Sequence, residues 1–143
     1  MFWYKLGAGL RCIGGILLCT LIYSFAWGIG NSPFPFEKEK EYYLYSPSSQ
    51  AQITSSIDAY DLFFLKGESA KITTGESVDE VLSRYGAEII FTENFDEAGG
   101  ISYYCYSPKL KQPIFLDGKF VNLHVVVKRD GIVLGSPIVF GGY

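Results

Sequence analysis

The chain has 143 residues, 48% of them apolar and 17% aromatic, with 12 basic against 15 acidic side chains for a net charge of −3. That length holds one domain, and its acidic balance repels phosphate backbones, which argues against nucleic-acid binding. Cysteines 12 and 19 lie in an apolar run and Cys105 stands alone after it, so no internal disulfide framework is available there and the fold must rest on its core.

Residues 1–30 differ in kind from the rest. Lys5 and Arg11 are their only charges, and Cys12 to Gly30 contains none. Such a run is close to the ~20 residues needed to cross a bilayer core. Two basic residues precede it and Glu37-Lys38-Glu39-Lys40-Glu41 follows it. The positive-inside rule then puts the N-terminus in the cytoplasm and the remainder outside, as a single-pass membrane protein. A cleaved signal peptide is the alternative, with Ser24 and Ala26 supplying the small residues a peptidase requires. Either way the same domain is exported. Without Lys5 and Arg11 it carries 10 basic and 15 acidic residues, a net of −5.

Residues 31–41 read as a juxtamembrane linker, stiffened by Pro33 and Pro35 and solvated by alternating charges. The domain is expected over 42–143. It opens with an aromatic strand, Tyr42-Tyr43-Leu44-Tyr45, stopped by Ser46-Pro47. The same pattern returns as Tyr103-Tyr104-Cys105-Tyr106-Ser107-Pro108, at an offset of 61 residues. Either the chain holds a degenerate duplication, or two strands each drew tyrosines and a Ser-Pro stop.

Strand segments follow at Asp61–Lys66 and Glu68–Thr73, interrupted at Gly67. Ser77-Val78-Asp79-Glu80 is a capping box. Val78, Val81, Leu82 and Tyr85 recur at helical spacing, and Gly86 suits a left-handed stop, which predicts a helix over 78–85. Glu88–Glu93 reads as a strand that turns back through Gly99-Gly100 onto the Tyr103 strand. Asp117-Gly118 and Asp130-Gly131 are further turn signals. In the arm Lys119–Lys128, Val121, Leu123, Val125 and Val127 make an aliphatic face, while Phe120, Asn122, His124, Val126 and Lys128 occupy the other. Pro137 lacks an amide donor, so the last arm is expected at a sheet edge or bent there. The sum is α+β: a transmembrane helix, then an antiparallel, meander-like sheet with one short helix packed on it.

Chemistry is sparse. His124 is the only histidine, and as a general base it would need a nucleophile that no local pattern supplies. No zinc or EF-hand spacing occurs, and neither glycine pair has a phosphate-loop context, so no metal and no cofactor is expected. Nine tyrosines lie after the linker. Exposed tyrosines favour protein or sugar contacts, whereas cross-strand pairing would hide them. The candidate binding residues are Tyr104, Tyr106, Asn122 and His124.

The C-terminal motifs resemble a family. Tyr103-Tyr104-Cys105-Tyr106-Ser107-Pro108, Val121-Asn122-Leu123-His124-Val125 and Gly135-Ser136-Pro137-Ile138-Val139, with a terminal Tyr143, are similar to the closing portion of the YwmB family. That family comprises exported proteins of spore-forming Firmicutes with a TATA-box-binding-like fold. The resemblance covers about Val78 to Tyr143, and the chain departs from the family in being shorter, with one full unit plus a reduced N-terminal part where the family has two. It implies no activity and, for an exported acidic domain, no DNA binding. The expectation is a membrane-anchored extracytoplasmic binding or assembly module of the cell envelope, linked to sporulation, whose partner is another envelope protein. A hydrolase using His124 is one alternative. A tether pairing through an exposed Ile132–Phe140 edge is another.

Overall fold

The computed structural model describes residues 13–24, 32–46, 52–58, 60–72, 75–95 and 100–140. It divides into two units, residues 1–32 and 33–143. In the first, residues 13–24 form a helix, α1, whose side chains are exposed. These are wholly uncharged and mostly apolar, with Ile16, Leu17, Leu21 and Ile22 each around 60% exposed. Among the described residues no helix is long and apolar enough to cross a membrane. The rest of the expected span lies outside them.

The second unit is α+β. Its strands are β1 (Glu39–Leu44), β2 (Gln52–Thr54), β3 (Leu65–Ile72), β4 (Glu88–Phe95), β5 (Gly100–Tyr106), β6 (Ile114–Leu116), β7 (Lys119–Val121), β8 (Leu123–Lys128) and β9 (Gly131–Ser136). Seven of them make one sheet in the order β2-β1-β3-β9-β8-β5-β4, and β6 and β7 form a separate hairpin. Every recorded pairing is antiparallel. The order is less of a meander than expected, because β9 returns to the centre between β3 and β8. The sheet therefore ends at β2 and β4, and the expected Ile132–Phe140 edge does not exist: Ile132 to Gly135 are paired on both sides.

Helix α2 (Val78–Tyr85) forms where local chemistry dictates. The Glu80 amide donates to Ser77 Oγ at 3.3 Å and the Ser77 amide donates to Glu80 Oε2 at 2.8 Å, closing the capping box. Gly86 ends the helix at φ 58°, a left-handed geometry costly for residues with a Cβ. Val81, Leu82 and Tyr85 then lie on the sheet with Ala70, Ile72, Cys105, Leu123, Val125, Ile132 and Leu134. This is the main core. Burial there pushes the Cys105 thiol up to about 12, which makes it inert.

Phe34 joins that core at 0% exposure, its ring edge-on to Tyr85 at 5.6 Å. Arg84 holds the same segment by donating to Glu37 Oε1 at 2.9 Å. The folded unit thus starts at Pro33 rather than Tyr42, and the last residues of the expected linker are strand β1. Flanking prolines stiffen the segment while its phenylalanine fills a gap beside the helix. The Asp61–Lys66 segment also differs, being a 3₁₀ turn over Asp61–Phe63 before β3 runs through Gly67.

The two tyrosine strands share a place but not a pairing scheme. Both lie second from an edge, yet β1 pairs with β2 and β3 while β5 pairs with β4 and β8. Ile114, 61 residues after Ile53 of β2, belongs to the separate hairpin.

Candidate functional site

The sheet's second face is built around His124. Cross-strand register places Tyr104 opposite His124 and His124 opposite Gly135. The rings stack in a row, Phe91 on Tyr104 at 4.4 Å and Tyr104 on His124 at 4.3 Å. Tyr104 Oη donates to Glu93 Oε2 at 3.0 Å. After Ser136 the chain folds back over this face. Gly67 and Gly135 make the crossing possible, since a Cβ on Gly135 would fall 2.7 Å from the Ile138 carbonyl oxygen and closer still to Val139 N. The strap 137–140 then packs Phe140 on Tyr43 at 4.8 Å, and the Val139 amide donates to His124 Nδ1 at 3.2 Å.

That last bond fixes the imidazole's chemistry. Nδ1 accepts, so the neutral ring carries its proton on Nε2 and donates it to Ser102 Oγ at 2.9 Å. A general base acting on Ser102 would need the opposite tautomer and access for a substrate. Ser102 is 0% and His124 1% exposed. The serine that the hydrolase alternative requires is present, but the arrangement is a buried structural bond.

Burial pushes the His124 imidazole down to about 4 from its ordinary 6.5. The unfolded chain therefore takes up a proton near pH 6.5 that the folded domain refuses until about pH 4. The stability from this site is full above pH 6.5 and falls as the pH drops toward 4. Between about pH 6.5 and pH 5 the loss is expected to be about 2 kcal/mol. Urea unfolding across that range should show it in the parent chain and not in His124→Asn, whose Oδ1 takes the place of Nδ1 as acceptor from Val139. An equal decline in both would assign the acid sensitivity to other groups.

Asn122 lies elsewhere and has a different task. It interrupts the expected continuous arm, separating β7 from β8. Its Oδ1 accepts from the Ser107 amide at 2.7 Å, and its Nδ2 donates to the carbonyls of Ser107 at 2.7 Å and Leu110 at 3.0 Å. The side chain clamps the loop that leaves β5.

The expectation of four surface residues is thereby corrected for three. Asn122 is buried against the loop that it clamps, and His124 and Tyr104 are buried because β8 and β5 sit inside the sheet and the strap packs over His124. Tyr106 is 39% exposed. It borders a shallow hollow of about 760 Å³ with Ile89, Ile90, Pro113, Lys119 and Phe120. Ile89 and Phe120 are themselves largely exposed. Sequence reading gave Phe120 no role. The available signal was Phe115 and Phe120 flanking an Asp-Gly turn, where strand alternation left two aromatics outward. Among the described residues no cluster of His, Cys, Asp and Glu could hold a metal. No protein-family model, curated protein or solved structure matches the chain.

Proposed function

We propose that the chain is a membrane-anchored, extracytoplasmic binding or assembly module of the cell envelope, whose partner is another envelope protein. The observation that carries this reading is the open edge of β4 beside Tyr106 and the hollow. β4 has eight residues and pairs on one side only. Its outer amides and carbonyls are a template for an added strand. Large apolar side chains exposed next to such an edge mark a contact surface. Among the described residues the sheet's other edge, β2, is only three residues long.

One register of edge pairing with a second copy is disfavoured. An antiparallel pair centred between Ile90 and Phe91 would set Glu88 against Glu93 twice, and like charges directly opposite destabilise a ladder. A strand bearing lysine or arginine at those positions fits instead. The exposed uncharged helix α1 and the basic residues before it support membrane attachment in this reading. The resemblance to the YwmB family supports the sporulation link and the export, and the fold assignment to a TATA-box-binding-like unit belongs to the same proposal.

Photo-crosslinking in cells tests it. A photoreactive residue at Thr92 or Tyr106 should give a discrete protein adduct, whereas one at Tyr60, exposed but distant in strand order from β4, should not. Adducts of equal yield at all three positions, or none at Thr92 and Tyr106, would sink the edge-strand reading.

A further inference from the structure

We propose that the β6–β7 hairpin is a lipid-contacting element that seats Phe115 and Phe120 at the headgroup boundary of an anionic membrane surface. This goes beyond the edge-strand reading and does not depend on it.

The hairpin is tightly specified. Asp117 and Gly118 both have positive φ, 48° and 77°, the geometry of a two-residue turn matched to strand twist. Leu116 pairs with Lys119, Phe115 with Phe120 and Ile114 with Val121. Val121 is completely buried, so the hairpin's root is fixed in the domain. Phe115 and Phe120 point the other way, 68% and 58% exposed, with their rings 5.2 Å apart. Two adjoining phenylalanines on the outside of a rigid hairpin have no hydrogen-bonding tip to justify water contact. The hollow beside Phe120 extends the apolar surface through Ile89 and Pro113.

Charge selects the occupant. Between Ser107 and Val121 the chain carries Lys109, Lys111 and Lys119 against a single acid, Asp117. From Ser32 onward the remainder has seven basic and fourteen acidic residues. The stretch that carries the hairpin is therefore net basic within an acidic unit, with the Lys109 ammonium 3.4 Å from the Arg84 carbonyl at the end of α2. All three lysines are exposed. Lys119 also reaches back to the sheet, its Nζ 6.0 Å from the centre of the Phe91 ring, which holds it beside Phe120. Exposed aromatic side chains on a net-basic stretch suit an interface where acyl chains meet anionic headgroups. Asp117 sits at the tip, Glu88 lies opposite Tyr106, and Glu93 accepts from Tyr104 beside the Phe91 ring.

The test uses the full chain in lipid nanodiscs, with Trp3 and Trp27 changed to phenylalanine and Phe115→Trp as the sole indole. Acyl-brominated lipids should quench the emission of that indole when phosphatidylglycerol is present, and most of the quenching should vanish in Lys109→Glu/Lys111→Glu. A chain with Tyr60→Trp as its sole indole should stay bright. An unquenched indole at position 115, equal quenching in phosphatidylcholine alone, or equal quenching at position 60 would each overturn the proposal. So would a cross-link from position 115 to a protein in place of lipid. An unquenched indole at position 115 with the Thr92 adduct intact would overturn the hairpin proposal alone.

Discussion

Replacing Asn122 by alanine should cost about 4 kcal/mol, summing the penalties for backbone groups left without partners. The substitution strips hydrogen bonds from the Ser107 amide, the Ser107 carbonyl and the Leu110 carbonyl. The first two belong to a fully buried residue. An isolated buried donor or acceptor loses its full desolvation energy, because no water replaces the lost partner. A loss of that size is a large share of the stability of a domain this small. Asn122→Asp should be nearly as damaging, since a carboxylate would face two carbonyl oxygens that now receive Nδ2. Urea denaturation of the two variants against the parent measures this directly. A loss under about 1 kcal/mol for Asn122→Ala would mean that water or a shifted loop satisfies all three groups, and the clamp would then be dispensable.

This residue also shows why some of the fold was legible in the sequence and some was not. Helix α2 could be bounded to the residue because its signals are local: Ser77, Glu80 and Gly86 act within one or two turns. The hairpin turn at Asp117-Gly118 was equally local, as was the aliphatic core face of β8, while the turn expected at Asp130-Gly131 falls one residue earlier, at Arg129-Asp130. Asn122 could not be placed that way. Strand alternation put it on a surface face with His124, whereas the side chain captured the backbone of Ser107, fifteen residues earlier, and broke the strand to do so. The central place of β9 was hidden for a related reason. Pro137 argues against a sheet interior only if the strand reaches it, and β9 stops at Ser136. Phe34 was lost to a compositional rule that equates proline and charge with linkers.

The burial of His124 needed still more distant information. Its own strand gives no sign of a roof. The roof depends on Gly135 lying opposite His124 and on Gly67 lying near the path of Phe140, and each of these alignments joins separate parts of the chain. The tyrosine strands were half legible. Tyr43 and Tyr104 are buried on the strap's face and Tyr45 and Tyr106 are exposed, so burial in the sheet accounts for only one member of each pair.

Gly135→Ala is the sharpest test of that roof, with an expected loss of about 3 kcal/mol, at the upper end for overpacking. The atoms that the new methyl would meet are the backbone of Ile138 and Val139, which cannot rotate away as a side-chain tip would. The strap must lift. Lifting it removes the Val139 amide from His124 Nδ1 and draws Phe140 off Tyr43, which admits water to the imidazole. The histidine should then titrate closer to its ordinary 6.5 than to about 4, a shift that NMR of the imidazole carbons reads in the folded protein. Ending the chain at Ser136 supplies the internal control. Without a strap there is nothing for the methyl to strike, so the alanine should cost little in that background, and the difference between the two backgrounds is the coupling between Gly135 and the strap. Should Gly135→Ala prove as costly in the shortened chain, the penalty would lie in the sheet itself, and the strap would be a passenger on it.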